Sequence, residues 1–345
     1  MTLGAVTARH DFERNALESY LQAHLADFRG PLDVKQFHGG QSNPTYLLTT
    51  PTAEYVMRSK PGPVAKLLPS AHAIEREYRV MSALASQGIP VPRTLLLSED
   101  ESVIGRAFFL MEHVRGRIFW EQSLPGMSKT ERAAIYDEMN RVISKLHAVD
   151  VERAGLAAFG KTGNYFARQI GRWSKQYHAS ETESVTAMNR LIEWLPLHIP
   201  AGEETTVVHG DYRMDNLIFH PTEPCVTAVL DWELSTLGHP LADFSYHCMS
   251  WHITPESFRG IAGLDHPALG IPGEAEYLQL YTQRTGRAIE HWNFYLAYNL
   301  FRIAAILQGV YKRSTEGIAS SDNAAKSGQR AKALAEIGWK YAQRA

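Results

Sequence analysis

The stretch His209-Gly210-Asp211-Tyr212-Arg213-Met214-Asp215-Asn216 dominates the interpretation of this 345-residue chain. It places a carboxylate at Asp211 and an amide five residues later, at Asn216. An apolar run at residues 226–230 follows, and it ends at a second carboxylate, Asp231. A charge at the end of an apolar strand must be paired or must bind a metal, because it is costly to desolvate alone. The spacing therefore indicates a site built from an acid, an amide and a second acid.

Phosphoryl transfer from ATP requires groups in this order. In protein kinases, H-R-D-x-x-x-x-N supplies an acid that orients the acceptor hydroxyl and an amide that holds magnesium, and D-F-G supplies a further magnesium ligand. Here Gly210 replaces the arginine of the first motif, and Trp232-Glu233 replace the last two residues of the second. We interpret Asp211 as the catalytic residue and Asn216 and Asp231 as ligands of Mg²⁺.

Each of these residues also has an ordinary structural explanation. Asp211 could be a turn or capping aspartate after glycine, and Asn216 could be a turn asparagine before a strand at 217–219. The three residues together, at this spacing and beside a strand, favour catalysis. A structural role is expected for Asp215, and also for Asp243, which would tie a helix start to the catalytic loop.

Composition excludes several classes of protein. Lys plus Arg number 35 and Asp plus Glu 37, a balance that argues against a nucleic-acid binder with a broad basic face. The two cysteines form no C-x-x-C pair, which fits a reducing compartment. The histidines His209, His247 and His252 do not have the spacing of a zinc site. No secretory signal and no apolar run of membrane-spanning length is visible, so we expect a cytoplasmic protein without a membrane partner.

The length favours two lobes, and we place the first at residues 1–114. A leading amphipathic helix is predicted within 10–28. Five strands are predicted from short β-favouring runs at 34–38, 46–50, 55–58, 93–97 and 108–113. One crossing helix, which Ser70 can cap and Gly88 ends, carries its apolar residues on one face: Ile74, Tyr78, Met81 and Ala85.

The second predicted lobe, residues 115–345, is mainly helical. Ser128 and Glu131 form a capping-box pattern at the start of a helix that ends near His147. Two helices follow within 164–198, and a strand at 205–208 leads into the acidic motif. A hairpin at 217–219 and 226–230 carries Asn216 and Asp231 at its edges. Further helices are predicted at 240–251, 274–285, 291–313 and 321–343. The fold class is therefore α+β, with a small antiparallel-sheet lobe and a larger helical lobe.

The first lobe has two features suited to a nucleotide. In the run Gly39-Gly40-Gln41-Ser42-Asn43, glycines let backbone N–H groups approach a phosphate, although a plain hairpin turn is the better explanation of this run alone. Arg58 ends a strand and Glu77 lies on the next helix, an arrangement with which kinases hold the α- and β-phosphates. Lys60 is the alternative cation, and solvated surface charges are the alternative explanation for the pair.

As a set, these motifs resemble the aminoglycoside phosphotransferase and choline kinase family, which shares the two-lobed protein-kinase fold. The resemblance covers about residues 30–313 and is most specific at the acidic motif and at Leu230-Asp-Trp-Glu. It implies that Gly40, Gln41, Ser42 and Asn43 belong to a nucleotide-positioning loop and that Glu77 is the pairing acid. It also implies a hinge at Leu110-Met-Glu-His-Val, where backbone groups near Glu112 and Val114 would hydrogen-bond adenine.

Three further stretches narrow the resemblance: residues 67–78, Gly116-Arg-Ile-Phe, and residues 231–240. They look similar to the kinase-like domain fused to, or encoded beside, acyl-CoA dehydrogenases. That subgroup implies a hydroxyacyl-CoA as the small-molecule acceptor. Basic residues in the 150–200 segment suit a CoA phosphate, and the acceptor is expected between this segment and helix 291–313.

Three functions remain in competition at this point. The first is an ATP- and Mg²⁺-dependent kinase that phosphorylates a hydroxyl of a hydroxyacyl-CoA. The second is a kinase for an aminoglycoside or a choline-like amino alcohol, whose cationic acceptor would require an acidic pocket. The third is a nucleotide-binding pseudokinase or scaffold, against which the presence of all three catalytic residue types argues.

Overall fold

The computed structural model describes residues 2–38, 43–62, 73–316 and 326–345. The chain forms two compact units. The first consists of Met1–Arg117, Glu152–Phe159 and Leu217–Ser235, and the second of Ile118–Val151, Gly160–Asn216 and Thr236–Ala345. The sequence suggests one boundary near residue 114, whereas the chain returns twice to the first unit. As a result Asp231 belongs to the first unit, and Asp211 and Asn216 belong to the second.

The strands form the six-stranded sheet of the first unit and two separate pairs of strands. In chain order they are β1 (Thr2–Gly4), β2 (Asp33–His38), β3 (Thr45–Thr49), β4 (Glu54–Ser59), β5 (Thr94–Ser98), β6 (Phe108–Glu112), β7 (Thr206–Val208), β8 (Leu217–Phe219), β9 (Val226–Val229) and β10 (Thr236–Gly238). A six-stranded antiparallel sheet has the order β1-β2-β3-β4-β6-β5, while β8 pairs with β9 and β10 with β7. The sequence does not predict β1 or β10, because each reads Thr-Leu-Gly and so contains one large apolar residue, whereas the equally short β7 and β8 contain runs of β-favouring apolar residues.

The helices confirm most of the sequence-based predictions. They are α1 (Arg14–His24), α2 (Ile74–Ser86), α3 (Lys129–His147), α4 (Tyr165–Ser180), α5 (Thr186–Trp194), α6 (Pro240–Cys248), α7 (Pro255–Phe258), α8 (His266–Leu269), α9 (Glu274–Thr285), α10 (Trp292–Thr315) and α11 (Ser327–Ala342). The capping box of α3 is confirmed, since Ser128 N donates to Glu131 Oε2 at 2.8 Å and Glu131 N donates to Ser128 Oγ at 3.3 Å. Ser70 lies outside the described residues, and α2 has Ala73 at its N-cap with no side-chain capping bond.

The core of the first unit determines where Arg58 lies. Tyr55 and Met57 of β4 join a buried cluster with residues of α1, β2, β3 and β6. Because successive side chains of a strand point to opposite faces, Arg58 lies on the other face of the sheet. There it meets Glu77 of α2. The alternation of one strand therefore separates an apolar core face from a polar face.

In the second unit, α10 is the central helix and is buried along most of its length. It packs against α4, α6 and α11. The predicted α+β class is confirmed by this helical unit together with the antiparallel sheet. Among the described residues, no helix combines the length and the apolar character that are needed to cross a membrane.

Candidate active site

Arg58 is the centre of a charged cluster in the first unit. Its Nε lies 3.0 Å from Glu77 Oε2, and its Nη2 lies 3.4 Å from Asp231 Oδ1 and 3.1 Å from Glu233 Oε2. The predicted pairing of Arg58 with Glu77 is therefore confirmed. Lys60, the alternative cation, forms its ion pair with Glu75 instead.

Three carboxylates thus surround one guanidinium, and Glu77 is the most buried of them, with a side chain that is 4% exposed. Burial raises the pKa of Glu77 to about 7, Arg58 opposes this rise, and Asp231 and Glu233 add to it. Asn43 Nδ2 also donates a hydrogen bond to Glu77 Oε1 at 2.9 Å. The cluster carries an excess of negative charge when all three acids are ionised, which favours an additional cation.

Asp231 has a backbone conformation that is unusual for a residue other than glycine. Its φ of 65° and ψ of 61° lie in the left-handed region, which is unfavourable for most side chains but which aspartate tolerates better than most. The next residue, Trp232, is fully buried and its Nε1 donates to Val229 O at 2.9 Å. This anchor holds the turn after β9, while the Asp231 side chain remains 36% exposed. A strained backbone beside an exposed carboxylate is characteristic of functional sites.

The other residues predicted to bind the nucleotide lie partly inside and partly outside the described ranges. Gly40, Gln41 and Ser42 lie outside the described residues. Asn43 is buried, and its side chain helps to orient Glu77. Glu112 ends β6, where its backbone N donates to Arg93 O at 2.9 Å, and Val114 is half-buried in the segment that follows.

The second unit brings the predicted catalytic residue and one predicted metal ligand into contact. Asn216 Nδ2 donates to Asp211 Oδ2 at 3.0 Å and to the backbone carbonyl of Asp211 at 2.9 Å. Both acceptors are oxygens, so the amide nitrogen must face Asp211 and the amide oxygen Oδ1 faces elsewhere. The other carboxylate oxygen, Asp211 Oδ1, accepts from Tyr246 Oη at 2.5 Å and lies 3.2 Å from Arg213 Nε.

The loop that carries Asp211 is held from two sides. Asp243 accepts from His209 N at 2.7 Å and from Gly210 N at 2.8 Å, which confirms its predicted structural role. Burial opposes the charged form of Asp243, but its hydrogen bond with His147 and the hydrogen bond from His209 N outweigh burial and lower its pKa. From the other side, Arg302 Nη2 donates to Gly210 O at 2.7 Å. Gly210 itself has a φ of 82°, a conformation that favours glycine.

The remaining charged residues of the loop are also paired. Asp215 is almost buried and forms ion pairs with Arg213, at 3.3 Å, and with Arg259. The histidines that were considered for zinc each have another role, since His209 Nδ1 accepts from Asp211 N, His247 bonds Tyr277, and His252 bonds Glu274. Within the described ranges, no group of three or more His, Cys, Asp or Glu residues is arranged to share a metal ion.

Sequence reasoning missed Tyr246, Arg302 and Glu233. Tyr246 and Arg302 lie on helices 35 and 92 residues away from their partners in the loop. No local motif marks them. The sequence does show polar side chains at buried positions of two apolar helices. Such a position indicates that the side chain has a hydrogen-bond partner, but it does not identify that partner.

Comparison with known proteins places this geometry in a family. A model of the phosphotransferase enzyme family matches residues 33–278. That range is more than half of the chain, and it contains both the Arg58 cluster and the Asp211 loop. This chain belongs to the phosphotransferase enzyme family.

Individual relatives of this phosphotransferase agree with that assignment. Acyl-CoA dehydrogenase family member 10 of Mus musculus is 51% identical over 334 residues, which cover 95% of the chain and 31% of that protein. A solved, provisionally named aminoglycoside phosphotransferase from Ralstonia eutropha JMP134 is 61% identical, with a TM-score of 0.90 over 97% of the chain and 99% of its own. The chain spans less than half of the length of the curated relatives that it matches.

A more distant structure supports the fold alone. Aminoglycoside phosphotransferase APH(4)-Ia, solved with AMP-PNP and hygromycin B, is 19% identical, with a TM-score of 0.59 over 94% of this phosphotransferase and 98% of that chain. The predicted kinase-like fold is confirmed by the solved structures of the Ralstonia eutropha protein and of APH(4)-Ia. The predicted resemblance to the family and to acyl-CoA dehydrogenase-associated chains is confirmed as well.

Proposed function

We propose that this phosphotransferase uses ATP and Mg²⁺ to phosphorylate a hydroxyl group of a small molecule. The observation that carries the proposal is the contact between Asp211 and Asn216, because these are the acid and amide at kinase spacing. The Arg58–Glu77 ion pair supplies independent support, since kinases use such a pair for the nucleotide phosphates. The AMP-PNP bound by APH(4)-Ia supports ATP as the donor.

Asp211 would orient the acceptor hydroxyl more than it deprotonates it. Both of its carboxylate oxygens already accept hydrogen bonds, from Tyr246 and from Asn216. Phosphoryl transfer has a loose transition state, so little proton transfer is required early in the reaction. A fixed carboxylate that accepts one hydrogen bond from the acceptor would therefore contribute mainly through orientation.

The two proposed metal ligands are chemically suited to a magnesium ion. Magnesium prefers oxygen ligands, and both the Asp231 carboxylate and the Asn216 Oδ1 atom are of this kind. The excess of negative charge around Arg58 also favours a divalent cation. When bound, the metal would neutralise charge on the phosphates during transfer.

For the nucleotide itself, we propose that Arg58 holds the α- and β-phosphates and that Glu77 orients it. Lys60 is the weaker candidate, because its ammonium is already engaged by Glu75. The run that contains Gly40, Gln41, Ser42 and Asn43 would cover the phosphates. Backbone groups near Glu112 and Val114 would hydrogen-bond adenine.

A hydroxyacyl-CoA is our proposed acceptor. The support is the 51% identity to a protein named as an acyl-CoA dehydrogenase family member. The exposed basic residues Arg172 and Lys175 of α4 fit an anionic acceptor better than a cationic one. An aminoglycoside is the alternative acceptor, since APH(4)-Ia binds hygromycin B.

A screen of acceptors tests the proposal. ATP and Mg²⁺ would be combined with hydroxyacyl-CoAs, aminoglycosides or choline, and ADP formation would be compared with that of an Asp211→Asn control. We expect ADP formation that requires both magnesium and a hydroxyacyl-CoA. Nucleotide binding without acceptor-dependent ADP formation would instead indicate a pseudokinase or scaffold, and a response to aminoglycosides or choline alone would overturn the proposed acceptor class.

A further inference from the structure

One face of helix α6 reaches the catalytic loop at two points. Asp243 binds the backbone N–H groups of His209 and Gly210. Three residues further along the helix, Tyr246 donates from Oη to Asp211 Oδ1 at 2.5 Å. Residues three apart lie on the same side of a helix. The same face therefore fixes both the backbone before Asp211 and the carboxylate of Asp211.

Tyr246 is itself held in place by a buried cation. The Arg302 guanidinium carbon lies 5.1 Å from the centre of the Tyr246 ring and 5.7 Å from that of Trp173. Arg302 is 7% exposed and also donates to Gly210 O. A buried guanidinium within about 6 Å of the centre of an aromatic ring is stabilised by cation–π attraction. It therefore restrains the tyrosine ring and the loop backbone together.

The donor role of Tyr246 follows from its surroundings. The side chain is 3% exposed, and burial, together with the nearby charge of Asp211, raises the pKa of its hydroxyl. The hydroxyl therefore keeps its proton. An aspartate carboxylate rotates easily about its terminal torsion. Two hydrogen bonds, one to each oxygen, fix its plane, and the bond from Tyr246 is shorter than the 3.2 Å ion pair that Arg213 Nε forms with the same oxygen.

We propose that Tyr246 is a positioning residue that fixes the orientation of the Asp211 carboxylate, with Arg302 holding its ring. This inference rests on the proposed function of Asp211. A misplacement of about 1 Å in a reacting arrangement can lower a rate by about a hundredfold. Tyr246→Phe should therefore lower kcat by about ten- to a hundredfold. The KM values should stay within about twofold, because a loss of orientation falls on kcat and not on substrate binding.

The first test is a double-mutant cycle on ADP formation from ATP and Mg²⁺, measured with water as the acceptor and with the hydroxyacyl-CoA panel. We expect Tyr246→Phe to slow the wild type but to have little further effect in the Asp211→Asn background, because the hydroxyl acts through that carboxylate. Tyr136→Phe is a matched control. It removes the hydroxyl of another fully buried tyrosine, which donates to Gln122 O at 2.7 Å, and it should leave kcat unchanged.

The second test does not depend on activity. Crystal structures of wild type and Tyr246→Phe should show the Asp211 carboxylate turned away from Asn216, or in two orientations, in the variant only. An unchanged carboxylate, or a kcat within about twofold of an active wild type, would overturn the inference and leave the proposed function intact. An inactive wild type would overturn the proposed function, while the crystal structures would still decide whether Tyr246 orients Asp211.

Discussion

Replacement of Arg58 by Met removes a guanidinium whose side chain is 14% exposed and that contacts three carboxylates. Glu77, which is 4% exposed, would then be buried beside Asp231 and Glu233 without its cation. Removing one partner of a buried ion pair lowers the free energy of unfolding by about 3–5 kcal/mol. We expect a loss of this size for Arg58→Met at alkaline pH.

The loss should depend on pH, because Glu77 can take up a proton. Burial raises its pKa to about 7 in the folded protein, from an ordinary value of 4.5, even though Arg58 opposes the rise. A group with a raised folded pKa stabilises the protein fully below its unfolded pKa, and this stability is lost as pH rises through the folded pKa. Without Arg58 the folded pKa rises further. The difference between variant and wild type should therefore grow by up to about 1.4 kcal/mol per pH unit above about pH 7.

Urea unfolding of wild type and Arg58→Met at about pH 5.5 and about pH 8.5 measures this difference. The double variant Arg58→Met/Glu77→Gln should recover much of the stability at the higher pH, because Glu77 can no longer be left as an unpaired buried charge. Lys60→Met is a control at a more exposed ion pair and should lose less than about 1 kcal/mol. An equal loss at both pH values, or no recovery in the double variant, would refute the reasoning.

Three further predictions concern turnover. Asp211→Asn should slow single-turnover phosphoryl transfer by about 10²–10⁴-fold, the usual contribution of a positioned acid or base, and a change below about threefold would exclude that role. Asp231→Ala should abolish magnesium-dependent turnover while circular dichroism shows a folded protein, and wild-type turnover in this variant would exclude Asp231 as a metal ligand. Arg58→Met should raise the KM for ATP about tenfold or more, because a hydrogen bond to a charged group contributes about 1.5–3 kcal/mol. Lys60→Met should leave this KM within about twofold. If Lys60→Met instead raised the KM more than Arg58→Met, Lys60 would be the phosphate ligand.

Much of the site could be predicted because its parts are local. Asp211 and Asn216 are five residues apart in one loop, so the spacing itself implies that they meet, and they do. Arg58 and Glu77 lie on a strand and on the helix after it, and the kinase pattern was sufficient to pair them. The capping box at Ser128 is read from residues three apart for the same reason.

The amino-acid sequence alone thus determined the α+β class, the order of most elements, and the acidic motif with its pairing glutamate. Only the tertiary structure decided that Tyr246 binds Asp211, that Arg302 binds Gly210, that Glu233 joins the Arg58 cluster, and that Asp231 has a left-handed backbone. The physical reason is the range of the interactions. Periodicity and capping depend on neighbours within one turn or one pleat, whereas the partner of a buried polar side chain depends on how distant helices pack.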